Sequence, residues 1–217
     1  MAKTDIQGNE ETQGLYGGKI LAGEYSHTLK SRLQADFDAM TAFDRLGSPA
    51  IPNISAWKER QNDMWYEFAI ENFLKIMGCS LGDLPDVFRN SVKDRRIYTY
   101  KGPADDIEKE IISGRDLHDQ RKRIRAEGAH SRFVEAVYKI SIGAGEKLWL
   151  KDQAVIDEFK SDRVFLSKGC LTIVTKEMEA EAARERAEME RMQREKLQGV
   201  LEMAGAVCHE LNQPVMA

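Results

Sequence analysis

From residue 25 the apolar positions Tyr25, Leu29, Leu33, Phe37, Met40 and Phe43 recur about every 3.6 residues, the period of one helix face. The pattern predicts a helix that ends near Gly47, with Pro49 beyond it unable to continue the turn. Its apolar face would rest on the core of its own domain or meet a second copy. Upstream, residues 1–18 mix Gly, Gln, Glu, Asn and Thr without periodicity, and predict a mobile segment.

Residues 54–60 and 64–70 carry Trp57, Trp65, Tyr66 and Phe68 and predict two short strands around the turn Gln61-Asn62-Asp63. Residues 71–77 predict a short helix stopped by Gly78. Residues 81–128 contain several turn signals and predict short helices; the charged piece 105–126 is expected to be mostly helical. Strict alternation then returns. Val134, Ala136, Tyr138, Ile140 and Ile142 share one face of a strand, and Gly143-Ala144-Gly145 turns the chain. Further strands are expected over 147–156 and 164–175, joined by the polar residues 157–163. Consecutive strands with short links pair antiparallel. The expected fold is α+β: a five-stranded antiparallel sheet with flanking helices, an N-terminal helix and a long C-terminal helix.

The last section changes character. Residues 176–196 are mostly charged, with both signs interleaved and neither Gly nor Pro, and favour helix. Glu190–Arg194 and Arg191–Glu195 stand at i,i+4, where opposite charges support an exposed helix. Met178, Ala182, Met189, Met192, Leu197, Leu201, Ala204, Cys208 and Leu211 recur at three, four or seven residues, with one stutter near Leu197. That is the stripe of a two-stranded coiled coil, and a second copy of the same helix is its simplest partner.

Composition narrows the function classes. The chain has 217 residues, of which 42% are hydrophobic and 31% charged, enough to build a core. A formal net charge of -4 argues against a dedicated nucleic-acid binder. The 3 cysteines, Cys79, Cys170 and Cys208, form no metal-ligand spacing and no disulfide framework, so a reducing, cytoplasmic setting is expected. The first residues lack an apolar secretory core, and no long window is apolar enough to span a membrane.

The candidate chemistry lies at the end of the charged helix, in Cys208-His209-Glu210-Leu211-Asn212-Gln213-Pro214. An imidazole titrates near ~6.5, so neutral His209 is a competent nucleophile at neutral pH. The Glu210 carboxylate can accept the Nδ1 proton and leave Nε2 free to attack. Pro214 removes the backbone donor that would bond the carbonyl of Glu210 and loosens the helix one turn beyond the histidine.

The string His209-Glu210-Leu211-Asn212-Gln213-Pro214, on a charged coiled coil, resembles the H-box of sensor histidine kinases of two-component systems. The resemblance implies that His209 is the phosphoacceptor and Glu210 its general base. Gln213 stands where many members place Thr or Asn to orient a hydrolytic water. ATP and Mg²⁺ would act in the intact kinase, the helix would open a dimeric four-helix bundle, and a response-regulator receiver domain would take the phosphate. Nothing in the chain resembles a phosphate-cradling Gly loop, and it ends 3 residues after Pro214. The fragment alone is therefore expected to be inactive.

The middle region resembles the PAS family over roughly residues 51–177. Trp149-Leu150-Lys151-Asp152 matches the Trp-x-x-Asp motif of a late strand, and Leu117-His118-Asp119-Gln120-Arg121 resembles the start of the long helix, without its proline. Gly169 to Glu177 resembles the closing strand and its exit into a signalling helix, with Val174 near where an Asp is usual. The resulting organisation is a mobile segment and helix over 1–50, a PAS sensor domain over 51–177, and a coiled coil running into the H-box over 178–217. PAS domains hold small ligands, haem or flavin, or only dimerise. Cys79 lacks the flavin motif around it. His118 is either a solvent-facing residue or a haem ligand for gas sensing, and Trp149 either packs or stacks on a ligand. The alternative to the kinase reading is a non-catalytic module for ligand binding and dimerisation.

Overall fold

The computed structural model describes residues 18–58, 64–100, 107–114, 116–117, 121–143 and 145–211. Contacts within the chain divide it into two units, Met1–Val174 and Thr175–Ala217. The expected turn at 61–63 and the expected mobility of the first residues fall outside the described residues.

The first unit opens with two helices, α1 (Lys19–Ala22) and α2 (His27–Asp44), followed by strands β1 (Ile51–Lys58) and β2 (Met64–Ala69). Helices α3 (Glu71–Met77) and α4 (Leu84–Ser91) lead into β3 (Val92–Tyr100) and β4 (Ile107–Ser113). Helix α5 (Arg121–Ser131) precedes the long strands β5 (Phe133–Ile142), β6 (Glu146–Phe159) and β7 (Val164–Ile173). All pair antiparallel in one 7-stranded sheet of order β2-β1-β7-β6-β5-β3-β4. The five expected strands are contiguous within it.

The strand count is a correction. Residues 92–100 and 107–113, expected in a helical stretch, form a hairpin that extends the sheet beyond β5. Glu and Lys at Glu108, Lys109 and Glu110 favour helix locally, but pairing of Ile97 to Glu110 and Arg96 to Ile111 overrides that preference. The polar connection after β6 is also shorter than expected, because Asp157, Glu158 and Phe159 still pair with β7.

Side chains alternate across the sheet, so each strand serves two layers. On one face lie α1 and α2. Leu29 and Leu33 of α2 are fully buried, which settles the amphipathic stripe as a packing face on its own domain. Ser26 caps α2 by accepting from the amide of Leu29 at 3.2 Å and is itself fixed by Asp162 at 2.7 and 2.5 Å. Lys168 of β7 bridges Asp36 of α2 and Asp157 of β6 at 3.2 and 2.9 Å, and Arg32 joins Asp157 at 3.2 Å. Partial burial opposes ionisation of Asp157, yet Lys168 and Arg32 hold its carboxyl below the usual range.

The register of β1 with β2 passes from Ser55–Tyr66 to Ile54–Phe68, skipping Glu67. This bulge turns two consecutive residues toward the N-terminal helices. Phe68 meets the Phe37 ring edge-on at 5.3 Å. Glu67, fully buried, accepts from the Trp65 indole at 2.6 Å and from the amide of Ile20 in α1 at 2.9 Å. Burial raises its pKa against these bonds. On the opposite face a chain of edge-to-face rings, Tyr66–Phe73–Phe88–Tyr138, runs through α3 and α4 at centroid spacings of 6.0, 5.8 and 5.8 Å.

Glu67→Ala is expected to destabilise the first unit by about 2–3 kcal/mol, since it strands two buried donors, whereas Glu67→Gln keeps an acceptor and costs less. Urea denaturation measures the difference, and amide exchange at Ile20 should quicken in the alanine variant.

Candidate functional site

The ring chain forms one wall of a cavity between the sheet and helices α4 and α5. Its inner chamber, about 140 Å³, is lined by Asn53, Ser55, Tyr66, Arg95, Tyr138, Asp152 and Ser167 among others. A second chamber of about 190 Å³ adjoins it, with Met64, Pro85, Phe88, Val92 and Leu117 as its apolar wall. Met64, Phe88, Arg95, Arg125 and Tyr138 line both. Gly128 lets α5 approach the sheet: a Cβ there would stand 3.1 Å from Ile156 and 3.2 Å from Val134.

Antiparallel register decides which residues face this space. Arg95 of β3 is paired with Tyr138 of β5, and its guanidinium lies 5.8 Å from that ring. Asp152 of β6 is paired with Leu171 of β7. The next arginine, Arg96, points to the other face and stacks 4.3 Å over Trp149. Lys139 lies 5.1 Å from the same indole. The two ends of the Trp-x-x-Asp motif, three residues apart on one strand, therefore serve opposite faces. Trp149 packs under cations, and Asp152 lines the cavity.

The polar groups of the inner chamber titrate abnormally. Burial pushes the Asp152 carboxyl up to about 7, against the Arg95 charge and the Tyr138 hydroxyl, both of which favour its ionised form. Burial, aided by the Asp152 charge, pushes Tyr138 up to about 12 and raises Tyr66 as well. The Tyr138 hydroxyl lies within hydrogen-bonding reach of both Arg95 and Asp152. Arg95 is 6% exposed, and its Nε and Nη1 are buried without a hydrogen-bond partner.

Met64 brings a thioether to both chambers. Leu117 lines the outer chamber, while the adjacent haem candidate His118 lies outside the described residues. Among the described residues no group of three or more His, Cys, Asp or Glu could hold a metal. Sequence reasoning did not single out Arg95 or Tyr138 as site residues. The available signal was Asp152 itself, a lone carboxylate in phase with the inward positions Leu150, Ala154 and Ile156.

The other candidate chemistry lies on α6 (Thr175–Leu211), which forms the described part of the second unit. Its backbone is helical through His209 and Glu210. The side chains of both, and Gln213 and Pro214 altogether, lie outside the described residues. Met189, Met192, Leu197, Leu201 and Met203 are 59–65% exposed along this helix. No helix among the described residues is long and apolar enough to cross a membrane.

The sequence matches no protein-family model and no curated protein. Similar solved structures include a sensory box histidine kinase/response regulator from Burkholderia thailandensis E264, at 18% identity and TM-score 0.41, covering 71% of this chain and 98% of the other. A second is the N-terminal domain of a diguanylate cyclase with PAS/PAC sensor from Marinobacter aquaeolei, at 15% identity and TM-score 0.39, covering 59% and 98%. A third, a light-oxygen-voltage domain studied with a flavin analogue, has 17% identity and TM-score 0.37, covering 77% and 99%.

The Asp152 shift has a stability consequence. Between its ordinary value of 3.8 and about 7 the folded state binds more protons at this carboxyl than the unfolded state does. Stability should therefore fall as pH rises through that window and level off above it. In Asp152→Asn that slope should flatten, which melting curves recorded at intervals from pH 4 to pH 8 would detect.

Proposed function

We propose that this chain is the sensory region of a cytoplasmic histidine kinase. A PAS-like domain over residues 51–177 reads a signal, and the following helix relays it to a phosphoacceptor at His209. The observation that carries the proposal is the string His209-Glu210-Leu211-Asn212-Gln213-Pro214 at the end of a helix of 37 residues. At 1.5 Å per residue that helix is about 55 Å long. The Trp-x-x-Asp motif and a cavity lined by perturbed titratable groups support the sensor assignment.

The exposed stripe of Met189, Met192, Leu197 and Leu201 supports a homodimer, because a second copy of the helix removes those side chains from water. A signal that alters the sensor domain would then change the packing of the paired helices and the access of an ATP-binding domain to His209. His209 attacks the γ-phosphorus of ATP through Nε2, so that an N–P bond forms as the bond to ADP breaks. Glu210 holds the Nδ1 proton and the positive charge that develops on the ring. Positioning and Mg²⁺ electrostatics supply most of the rate in such a transfer. A receiver-domain aspartate of a response regulator then takes the phosphoryl group. Gln213 would orient the water of any phosphatase reaction.

With the kinase ATP domain present, an acid-labile phosphate should form on His209 and vanish in His209→Ala. Label that survives in this variant, or no label at all, would leave the chain as a non-catalytic ligand-binding and dimerisation module. Leu201→Glu should shift the chain from dimer to monomer in sedimentation analysis.

A further inference from the structure

The inner chamber contains a charge that the described protein does not satisfy. Arg95 is 6% exposed, and a guanidinium is almost never buried this far unless its donors are met. Its Nε and Nη1 are buried with no acceptor, and an unmade bond from a charged donor is costly. The neighbouring acid neutralises it only in part, since burial keeps Asp152 partly protonated near neutral pH. Arg125 also lines the wall, and the remaining polar side chains, Asn53, Ser55, Tyr66, Tyr138 and Ser167, are neutral. The chamber is therefore electropositive and desolvated, and two donors of Arg95 in it have no acceptor.

Size and lining narrow the ligand further. A cavity of ~150 Å³ accepts a molecule as large as benzene, so the inner chamber, about 140 Å³, takes about six non-hydrogen atoms. The adjoining chamber continues along Met64, Pro85 and Phe88, which receive an apolar tail. A second negative charge would meet the Asp152 carboxyl. This disfavours dianions such as phosphate esters and dicarboxylates.

We propose that the cavity binds a small organic monocarboxylate, with its carboxylate on Arg95 and its apolar body against Met64 and Phe88. Tyr138, bonded to both Arg95 and Asp152, holds the guanidinium in place beneath the head group. This assignment rests on reading residues 51–177 as a sensor domain and names the chemistry of its signal.

Binding is tested on the purified chain by calorimetry with three- to six-carbon monocarboxylates, their carboxamides, the matching dicarboxylates and inorganic phosphate. At least one monocarboxylate should bind at least about tenfold more tightly than its carboxamide, and Arg95→Gln should remove that preference. Arg95→Lys, which keeps the charge, should retain part of it. If Arg95→Gln does not fold, the comparison of carboxylate with carboxamide on the wild-type chain decides. Carboxylates no better than carboxamides, or phosphate binding as tightly as the best monocarboxylate, would overturn the assignment. The readout requires no phosphoryl transfer. Failure to label His209 therefore leaves it intact, and failure to bind carboxylates leaves the kinase reading intact.

Discussion

The structure of the first unit depends on the two-residue alternation of its antiparallel sheet. Helices pack on both faces, so the strands between them must satisfy two environments at once. In β6, Asp152 and Ile156 serve the cavity while Asp157 serves the ion network under α2. In β3, neighbouring arginines divide the same way, Arg95 to the chamber and Arg96 onto Trp149. A slip of one residue would place Lys151 where Asp152 stands and expose the stripe that seats α2. Gly169 enforces the pairing of β7 with β6, because a Cβ there would come within 2.2 Å of the Gln153 carbonyl.

Where the alternation is broken, the break has a use. The bulge at Glu67 places a carboxylate and a phenyl ring side by side on one face, and these hold α1 and α2 respectively. The buried acid bonds a backbone amide and an indole rather than a cation, so it fixes geometry at an electrostatic cost that its raised pKa records. The cavity makes the complementary choice. There the buried group is a cation, and its unpaired donors leave room for a partner from outside.

The second unit follows different physics. Helix α6 carries its apolar residues in a narrow stripe flanked by charge, and those residues stay largely exposed in a single chain. Packing of that stripe is a matter of association. One residue, Val174, joins the last strand of the sheet to this helix.

Strong local patterns were legible in the sequence. The period of Tyr25 to Phe43 specified α2, Gly78 at φ 63 ended α3 as its position implied, and strict alternation from Val134 to Ile142 specified β5. The long charged helix was equally plain, because its signal lies in composition along one segment. The hairpin of β3 and β4 was not legible, since its charged residues favour helix until a neighbouring strand supplies the hydrogen bonds. Nor was the chamber. Arg95, Tyr138 and Asp152 are far apart in the chain, and only the register of β3, β5 and β6 brings them to one face. Local propensity determined most elements of this protein. Long-range pairing, which no window of sequence contains, decided which charged groups were buried and which were left without a partner.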